Sequence, residues 1–221
     1  MISSGLWTWV VAMLPHQIRC TRSAWTVCLT RLSRPSRSLQ TRLLWLDGRL
    51  PRGDALHVGF TATVFGEGSV TPRIVFFGEG PGADEDRSGR PFVGKAGQLL
   101  TKMIEACTLR RDDVYILNTV KCRPPGNRNP DPKEITNCRE YFEQQLAILR
   151  PEYIVCLGAI STQTLLNSKL SVGRLRGKFH RYFESKVLVT YHPAYLLRNP
   201  DAKKAAWQDL QLMLRDAGIN L

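Results

Sequence analysis

The chain has 221 residues, an ordinary 43% of apolar residues and a formal net charge of +12, a combination that fits one globular domain whose partner bears phosphates. No run of 18 or more apolar residues free of charge occurs, so a membrane-spanning helix is not expected. Six cysteines (Cys20, Cys28, Cys107, Cys122, Cys138 and Cys156) lie scattered without the rhythm of a small disulfide scaffold, which leaves metal ligation or plain burial as their expected roles.

Residues 1–53 form an atypical segment. They hold eight Arg against a single acid, Asp47, together with four of the five Trp and no Lys, and no apolar period of 3.6 or 2 persists. Three readings stay open: an Arg- and Ser-rich organellar transit peptide, a disordered basic arm that touches DNA, or a mis-translated start. No positive charge precedes the apolar run from Leu6 to Leu14, so a cleaved secretory signal is not expected.

From Val64 onward the text alternates between strands and helices, and residues 54–221 are expected to form one domain. IVFFGEGPG, from Ile74, is an apolar run that stops at a Gly/Pro cluster, which predicts a buried strand ending in a tight loop. Leu99, Leu100, Met103 and Ile104 give helical spacing to 97–107. Residues 113–120 predict a second strand, followed by the loop RPPGNRNPDP, a helix over 132–149 and a third strand over 153–157, closed by Gly158. After a helix through 162–166 come a fourth strand over 186–190, the segment HPAYLLR and a last amphipathic helix over 205–214. This order implies a three-layer α/β/α sandwich around a mainly parallel four-stranded sheet. Ligands of such sheets sit beyond the carboxyl ends of the strands. Those ends carry GEGPGADED, the stretch from Asn118 to Asn129, and His192.

GEGPGADEDRSGRPFVG, from Gly78 to Gly94, is neither a G-x-G-x-x-G dinucleotide fingerprint nor a P-loop. On its own it would read as a turn with a solvated acidic run, and Asp84 and Asp86 are expected to be solvated. Together with NTVKCRPPGNRNP and HPAYLLR, in that order and spacing over about 155 residues, it resembles the iron–sulfur, family 4 type of uracil-DNA glycosylase.

The resemblance implies hydrolysis of the N-glycosidic bond of deoxyuridine in base-excision repair, acting on uracil-containing DNA, single- or double-stranded. It also implies a monomer of bacterial or archaeal cytoplasmic type, or an organellar one if the N-terminus is a transit peptide. Phe92 would stack on the uracil ring, and Asn118 would present its amide to O4 and N3. Backbone groups of Gly78, Glu79 and Gly80 would close the pocket floor. His192 would donate to the anion developing at O2, and Glu85 with Asn127 would orient water or stabilise the sugar, the choice among Glu79, Glu85 and Asn127 staying open. For DNA, Arg174, Arg176 and Lys178 of GRLRGK would meet phosphates, and Leu196, Leu197 and Arg198 would form the wedge. The loop RPPGNRNP lacks the extra His by which one relative captures uracil-containing DNA, so capture is not expected.

The resemblance also implies a [4Fe–4S] cluster, with Cys122 and Cys138 as two of four thiolate ligands. The family's C-x-x-C before Val64 is missing: its positions fall on Leu50 and Gly53, or on Pro51 and Asp54. The chain is therefore expected to hold the cluster poorly or not at all, and Cys107 and Cys156 are expected to be core thiols. Two other function classes compete with the glycosylase: a Mg²⁺-dependent nuclease using Asp84, Glu85, Asp86 and His192, and a non-catalytic DNA-binding or polymerase-associated module.

Overall fold

The computed structural model describes residues 62–220. The segment 1–53, with Cys20, Cys28 and the positions at Leu50 to Asp54, lies outside the described residues.

Among the described residues six strands form one sheet. They are β1 (Glu67–Gly68), β2 (Ile74–Gly78), β3 (Tyr115–Asn118), β4 (Tyr153–Leu157), β5 (Phe179–Tyr182) and β6 (Ser185–Thr190), in spatial order β1-β3-β2-β4-β6-β5. The inner four are parallel and correspond to the four predicted strands, while β1 and β5 add antiparallel edges. The sheet is thus larger than the four strands expected. β1 has two residues and β5 reads FHRY, half-exposed along its length, so neither carries the apolar run that marks a central strand. Short and charged edges of this kind also resist pairing with another chain.

Successive side chains on a strand point to opposite faces, and the inner strands are apolar on both. Ile74, Phe76, Ile116, Val155 and Leu188 pack on one side against Leu100 and Ile104 of α2 (Lys95–Ala106) and Leu210, Met213 and Leu214 of α7 (Ala202–Asp216). Val75, Phe77, Leu117, Ile154, Val187 and Val189 pack on the other. Their partners are Phe142, Leu146 and Leu149 of α3 (Pro132–Leu149), Leu165 of α4 (Ala159–Leu166) and Leu175 of α5 (Val172–Leu175). Two further short helices among the described residues are α1 (Ala83–Ser88) after β2 and α6 (Pro193–Arg198) after β6. Cys107 and Cys156 are fully buried in these two cores. None of the described helices is long and apolar enough to cross a membrane.

Register brings the strand ends level. Gly78 of β2 lies beside Asn118 of β3, and Leu157 of β4 lies beside Thr190 of β6. Beyond the ladder, the carbonyl of Gly78 accepts from the amide of Thr119 (3.0 Å) and from its hydroxyl (2.9 Å), and the carbonyl of Glu79 accepts from the amide of Val120 (3.1 Å). The loops after β2 and β3 therefore leave the sheet side by side, and the loop with His192 leaves the same end after β6, with β4 between.

Candidate active site

At this carboxyl end a cavity of about 460 Å³ opens, lined among others by Glu79, Gly80, Glu85, Phe92, Asn127 and His192. A larger, more apolar groove of about 720 Å³ runs between α3 and the β5–β6 turn, lined in part by Leu146, Pro151, Tyr182 and Ser185. It lies by the amino ends of β4 and β6, away from the strand ends that carry the predicted chemistry, so size does not identify the site.

His192 is the N-cap of α6, and its Nδ1 accepts from the amide of Ala194 at 3.1 Å. That bond assigns the proton to Nε2. Burial pushes the imidazole down to about 4, with the nearby charge of Arg198 adding to the effect and Glu85 opposing it. At neutral pH His192 is accordingly an uncharged N–H donor. Its ring centroid lies 5.7 Å from that of Phe92, tilted by 36°. Gly158, at φ +90°, makes room for it: a Cβ there would stand 2.9 Å from the Cβ of His192.

Phe92 itself sits at φ +50°, a conformation that costs a bulky residue free energy and clusters at functional sites. The helix beneath accommodates it through Gly97, where a Cβ would lie 1.9 Å from the carbonyl oxygen of Phe92. Gly97 and Gly158 are positioning residues that the sequence reading did not single out. A non-periodic glycine inside an apolar helix was the available signal for Gly97.

Asn118 is 1% exposed, and neither its Nδ2 nor its Oδ1 has a hydrogen-bond partner among the described residues. Its Oδ1 and the edge of the Phe92 ring converge on Gly78, where a Cβ would come within 2.4 and 2.6 Å of them. Asn118 is not among the residues that line the cavity but lies against Phe92, which is. Each unpaired buried group of this kind costs about 1–3 kcal/mol, which a ligand edge can offset.

The three candidates for water positioning differ sharply. Glu85 is already engaged: Oε2 accepts from the amide of Gly82 (3.1 Å), and Oε1 from those of Val93 (2.8 Å) and Gly94 (2.9 Å). It organises the loop. Asn127, at φ +55°, is exposed, and its Oδ1 accepts from Nε of Arg123 at 2.7 Å. The carboxylate of Glu79 makes no side-chain hydrogen bond or ion pair among the described residues, and burial holds its carboxyl above the usual carboxylate range. Glu79 is the carboxylate left with acceptor capacity at the cavity.

Four sequence expectations need correction. Asp86 is buried, with Oδ1 accepting from the amide of Ala62 at 3.3 Å, so it is not solvated as Asp84 is. Asp84, Glu85, Asp86 and His192 do not gather as a nuclease site: Asp84 pairs with Arg87 at the surface, and no group of three or more His, Cys, Asp or Glu is arranged to hold a metal ion among the described residues. Arg176 is turned inward, its Nε donating to Asp209 at 3.0 Å and its Nη2 to the carbonyl of Ala205, whereas Arg174 and Lys178 are exposed. Leu196 is 1% exposed and belongs to the core, leaving Leu197, 44% exposed, and Arg198 at the surface, the latter on the cavity rim.

Cys122 and Cys138 are both buried free thiols, and Cys138 lies close enough to Cys122 to add to the effect of burial in pushing its thiol up. Beside them Lys121 is fully buried, its Nζ donating to the carbonyls of Asn118 (2.9 Å) and Phe65 (3.2 Å). Burial pushes this ammonium down to about 7. Two thiols do not supply the four corners of a [4Fe–4S] cluster, and no further His, Cys, Asp or Glu among the described residues completes the set. The described part of the chain does not by itself fit the cluster.

A family profile described as the uracil DNA glycosylase superfamily matches residues 65–211. The chain is 48% identical over 146 residues to a type-4 uracil-DNA glycosylase of Thermotoga maritima, covering 65% of this chain and 76% of that protein. It is 43% identical over 164 residues to a type-4 uracil-DNA glycosylase of Archaeoglobus fulgidus (71% and 82%) and 47% over 161 residues to one of Sulfurisphaera tokodaii (68% and 73%).

Proposed function

The chain belongs to the uracil DNA glycosylase superfamily, and from that premise we propose that it removes uracil from DNA by hydrolysing the N-glycosidic bond of an extruded deoxyuridine. The observation that carries the reading is the buried amide of Asn118, without a partner among the described residues, beside the Phe92 ring. An amide offers a donor to uracil O4 and an acceptor to N3–H, a pattern that cytosine inverts. A base inside a duplex has to be flipped out to be read this way. The bond from C1′ to N1 breaks with its electron pair leaving on uracil. Positive charge gathers on the sugar and negative charge at uracil O2, where the Nε2–H of neutral His192 donates. A preorganised donor aimed at charge that appears in the transition state is usually the largest catalytic contribution. Water then adds to C1′, its proton accepted by Glu79 and passed through solvent to the uracil anion, so that an abasic site and free uracil remain and the Glu79 carboxylate is restored. The enzyme acts as a monomer on single- or double-stranded DNA, with Arg174, Lys178 and Arg198 meeting phosphates and Leu197 as the wedge.

The test is an oligonucleotide carrying one deoxyuridine, incubated with purified protein with and without EDTA and then treated with alkali. Free uracil and alkali-dependent strand scission, insensitive to EDTA, are expected. Scission of undamaged DNA that needs Mg²⁺ would instead identify a nuclease, and salt-sensitive DNA binding without uracil release a non-catalytic module. In the same assay Glu79→Gln slows release by roughly 100-fold, at the low end for a general base because bond cleavage runs ahead of water attack. Since burial raises the Glu79 carboxyl, its basic form is lost as pH falls through that raised value, so the acid limb of the wild-type rate profile flattens in the Gln variant. Glu85→Gln differs in kind: it lowers Tm through the loss of charge-assisted bonds to Gly82, Val93 and Gly94. A Glu79→Gln enzyme of wild-type rate would remove Glu79 from the reaction.

We further propose that this chain holds a [4Fe–4S] cluster weakly. Cys122 and Cys138 would be two of its ligands, and besides Cys107 and Cys156 the sequence holds two further thiols, Cys20 and Cys28. Purified anaerobically, the protein is expected to carry substoichiometric iron and little absorption near ~400 nm. Full four-iron occupancy that disappears in the Cys20→Ser/Cys28→Ser variant would overturn this.

A further inference from the structure

The rim of the cavity carries an aromatic side chain that the proposed chemistry does not use. Tyr195 lines the cavity together with His192 and Arg198 and is nonetheless 40% exposed. Its ring is stacked on that of Tyr191, with centroids 5.1 Å apart and planes 23° from parallel. Tyr191 is in turn covered by the guanidinium of Arg176, 5.6 Å from its ring centroid. Arg176 is anchored below: Nε donates to Oδ2 of Asp209 at 3.0 Å, Nη2 lies 3.0 Å from Oδ1, and Asp209 is 1% exposed. The same Oδ2 accepts from the hydroxyl of Thr190 at 2.8 Å, two residues before His192. A continuous ladder therefore runs from the end of β6 and the middle of α7, through Asp209, Arg176 and Tyr191, to Tyr195 at the cavity mouth.

We propose that Tyr195 is a preorganised stacking platform for the base next to the extruded deoxyuridine. One face of its ring rests on Tyr191, which limits the freedom the side chain would otherwise lose on binding. Nearby, Leu197 is another exposed apolar side chain and Arg198 an exposed cation. When a nucleotide leaves the strand, its neighbours lose a stacking partner, and an aromatic face restores one without regard to base identity. Arg176 acts through Tyr191 and is a positioning residue: its basic charge serves the ladder rather than a phosphate. The inference rests on the glycosylase reading for the identity of the extruded base, but stacking is measurable without turnover.

The experiment uses single-stranded oligonucleotides with one deoxyuridine flanked on either side by 2-aminopurine, whose fluorescence is quenched by stacking. Binding and single-turnover release are measured for wild type, Tyr195→Ala, Tyr195→Leu and Tyr195→Phe, with Tm as the check on folding. Tyr195→Ala is expected to raise the half-saturating protein concentration roughly 10-fold, to change the maximal rate by less than about 3-fold, and to abolish the quench on one side of the uracil. Tyr195→Phe keeps both near wild type, because the ring carries the contact. Tyr195→Leu retains apolar bulk against Tyr191 and loses the quench, which keeps the test valid if the Ala variant is unstable. Arg176→Lys preserves the charge on Asp209 without the planar guanidinium and shifts half-saturation in the same direction by less. Unchanged half-saturation and quench in both the Ala and Leu variants would overturn the proposal, as would a Phe variant as impaired as Ala. A wild-type protein that quenches 2-aminopurine and releases no uracil would sink the glycosylase reading while leaving the platform standing.

Discussion

His192→Ala lowers the single-turnover rate of uracil release by roughly 100- to 1,000-fold, the usual loss for one preorganised donor to developing negative charge, with DNA affinity nearly intact. The asymmetry follows from where the bond is made. In the ground state uracil O2 carries little extra charge, so the N–H of His192 contributes modestly to binding and mainly to the transition state. The pH behaviour separates this role from that of a protonated acid. His192 is pushed down to about 4 by burial, so it is already neutral throughout the range from 6 to 8, and no rate limb should follow its titration there. The stability consequence has a defined sign. The folded state resists protonation of this ring whereas the unfolded chain accepts a proton near the ordinary histidine value of about 6.5. The histidine's contribution to stability is therefore present above that value and declines as pH falls from it towards 4. His192→Ala should show a weaker loss of Tm over that interval than wild type. A variant with wild-type single-turnover rate would remove His192 from the mechanism.

The position of His192 also shows what the sequence could and could not disclose. The four parallel strands were legible because each is an apolar run stopped by Gly, Pro or a polar turn, and the helices between them carry the 3.6 period. With those elements in order, topology alone delivers Gly78, Asn118, Gly158 and His192 to one end of the sheet. Side-chain direction within a short basic or apolar motif was not legible. In α6 neighbouring residues point about 100° apart, so of Leu196 and Leu197 one faces the core, and the string LLR does not say which. GRLRGK reads as three equivalent cations, yet the middle one meets a buried carboxylate contributed by α7, 33 residues away, a partner that no local pattern announces. Asp86 was misread for the same reason: it lies in an acidic run but turns under the loop to the amide of Ala62. The edge strands escaped because two to four half-exposed residues carry no period. Conversely the hydrogen bonds that distinguish Glu79, Glu85 and Asn127 belong to the fold and not to any local pattern: Glu85 is held by three amides and Asn127 accepts from Arg123.

Asn118→Leu should abolish uracil release, by about 100- to 10,000-fold, while leaving Tm unchanged or raising it. The first half follows from two hydrogen bonds to the base edge, each worth about 1–3 kcal/mol where a missing partner would leave a buried group unsatisfied. The second half is the discriminating one. In the free protein both polar atoms of the amide are buried without a partner among the described residues, so replacing them with methyl groups of similar branching removes a desolvation penalty and breaks no internal bond. A structural asparagine behaves in the opposite way, because its removal strands the groups it was satisfying. Asn118→Asp tests the reading of the base itself. A carboxyl group in this buried site can pair with the N4 amino group and N3 of cytosine as well as with O4 and N3–H of uracil, depending on its protonation. The ratio of uracil to cytosine release should fall, chiefly through lost uracil activity, with cytosine release assayed on the same strand. Lys121 supplies an internal control: its ammonium holds the backbone carbonyl of Asn118 rather than its amide, so Lys121→Met should lower Tm and the uracil rate together and leave the ratio alone. If Asn118→Leu loses Tm in proportion to activity, or Asn118→Asp keeps the wild-type ratio, the amide is holding the loop and some other group reads the base.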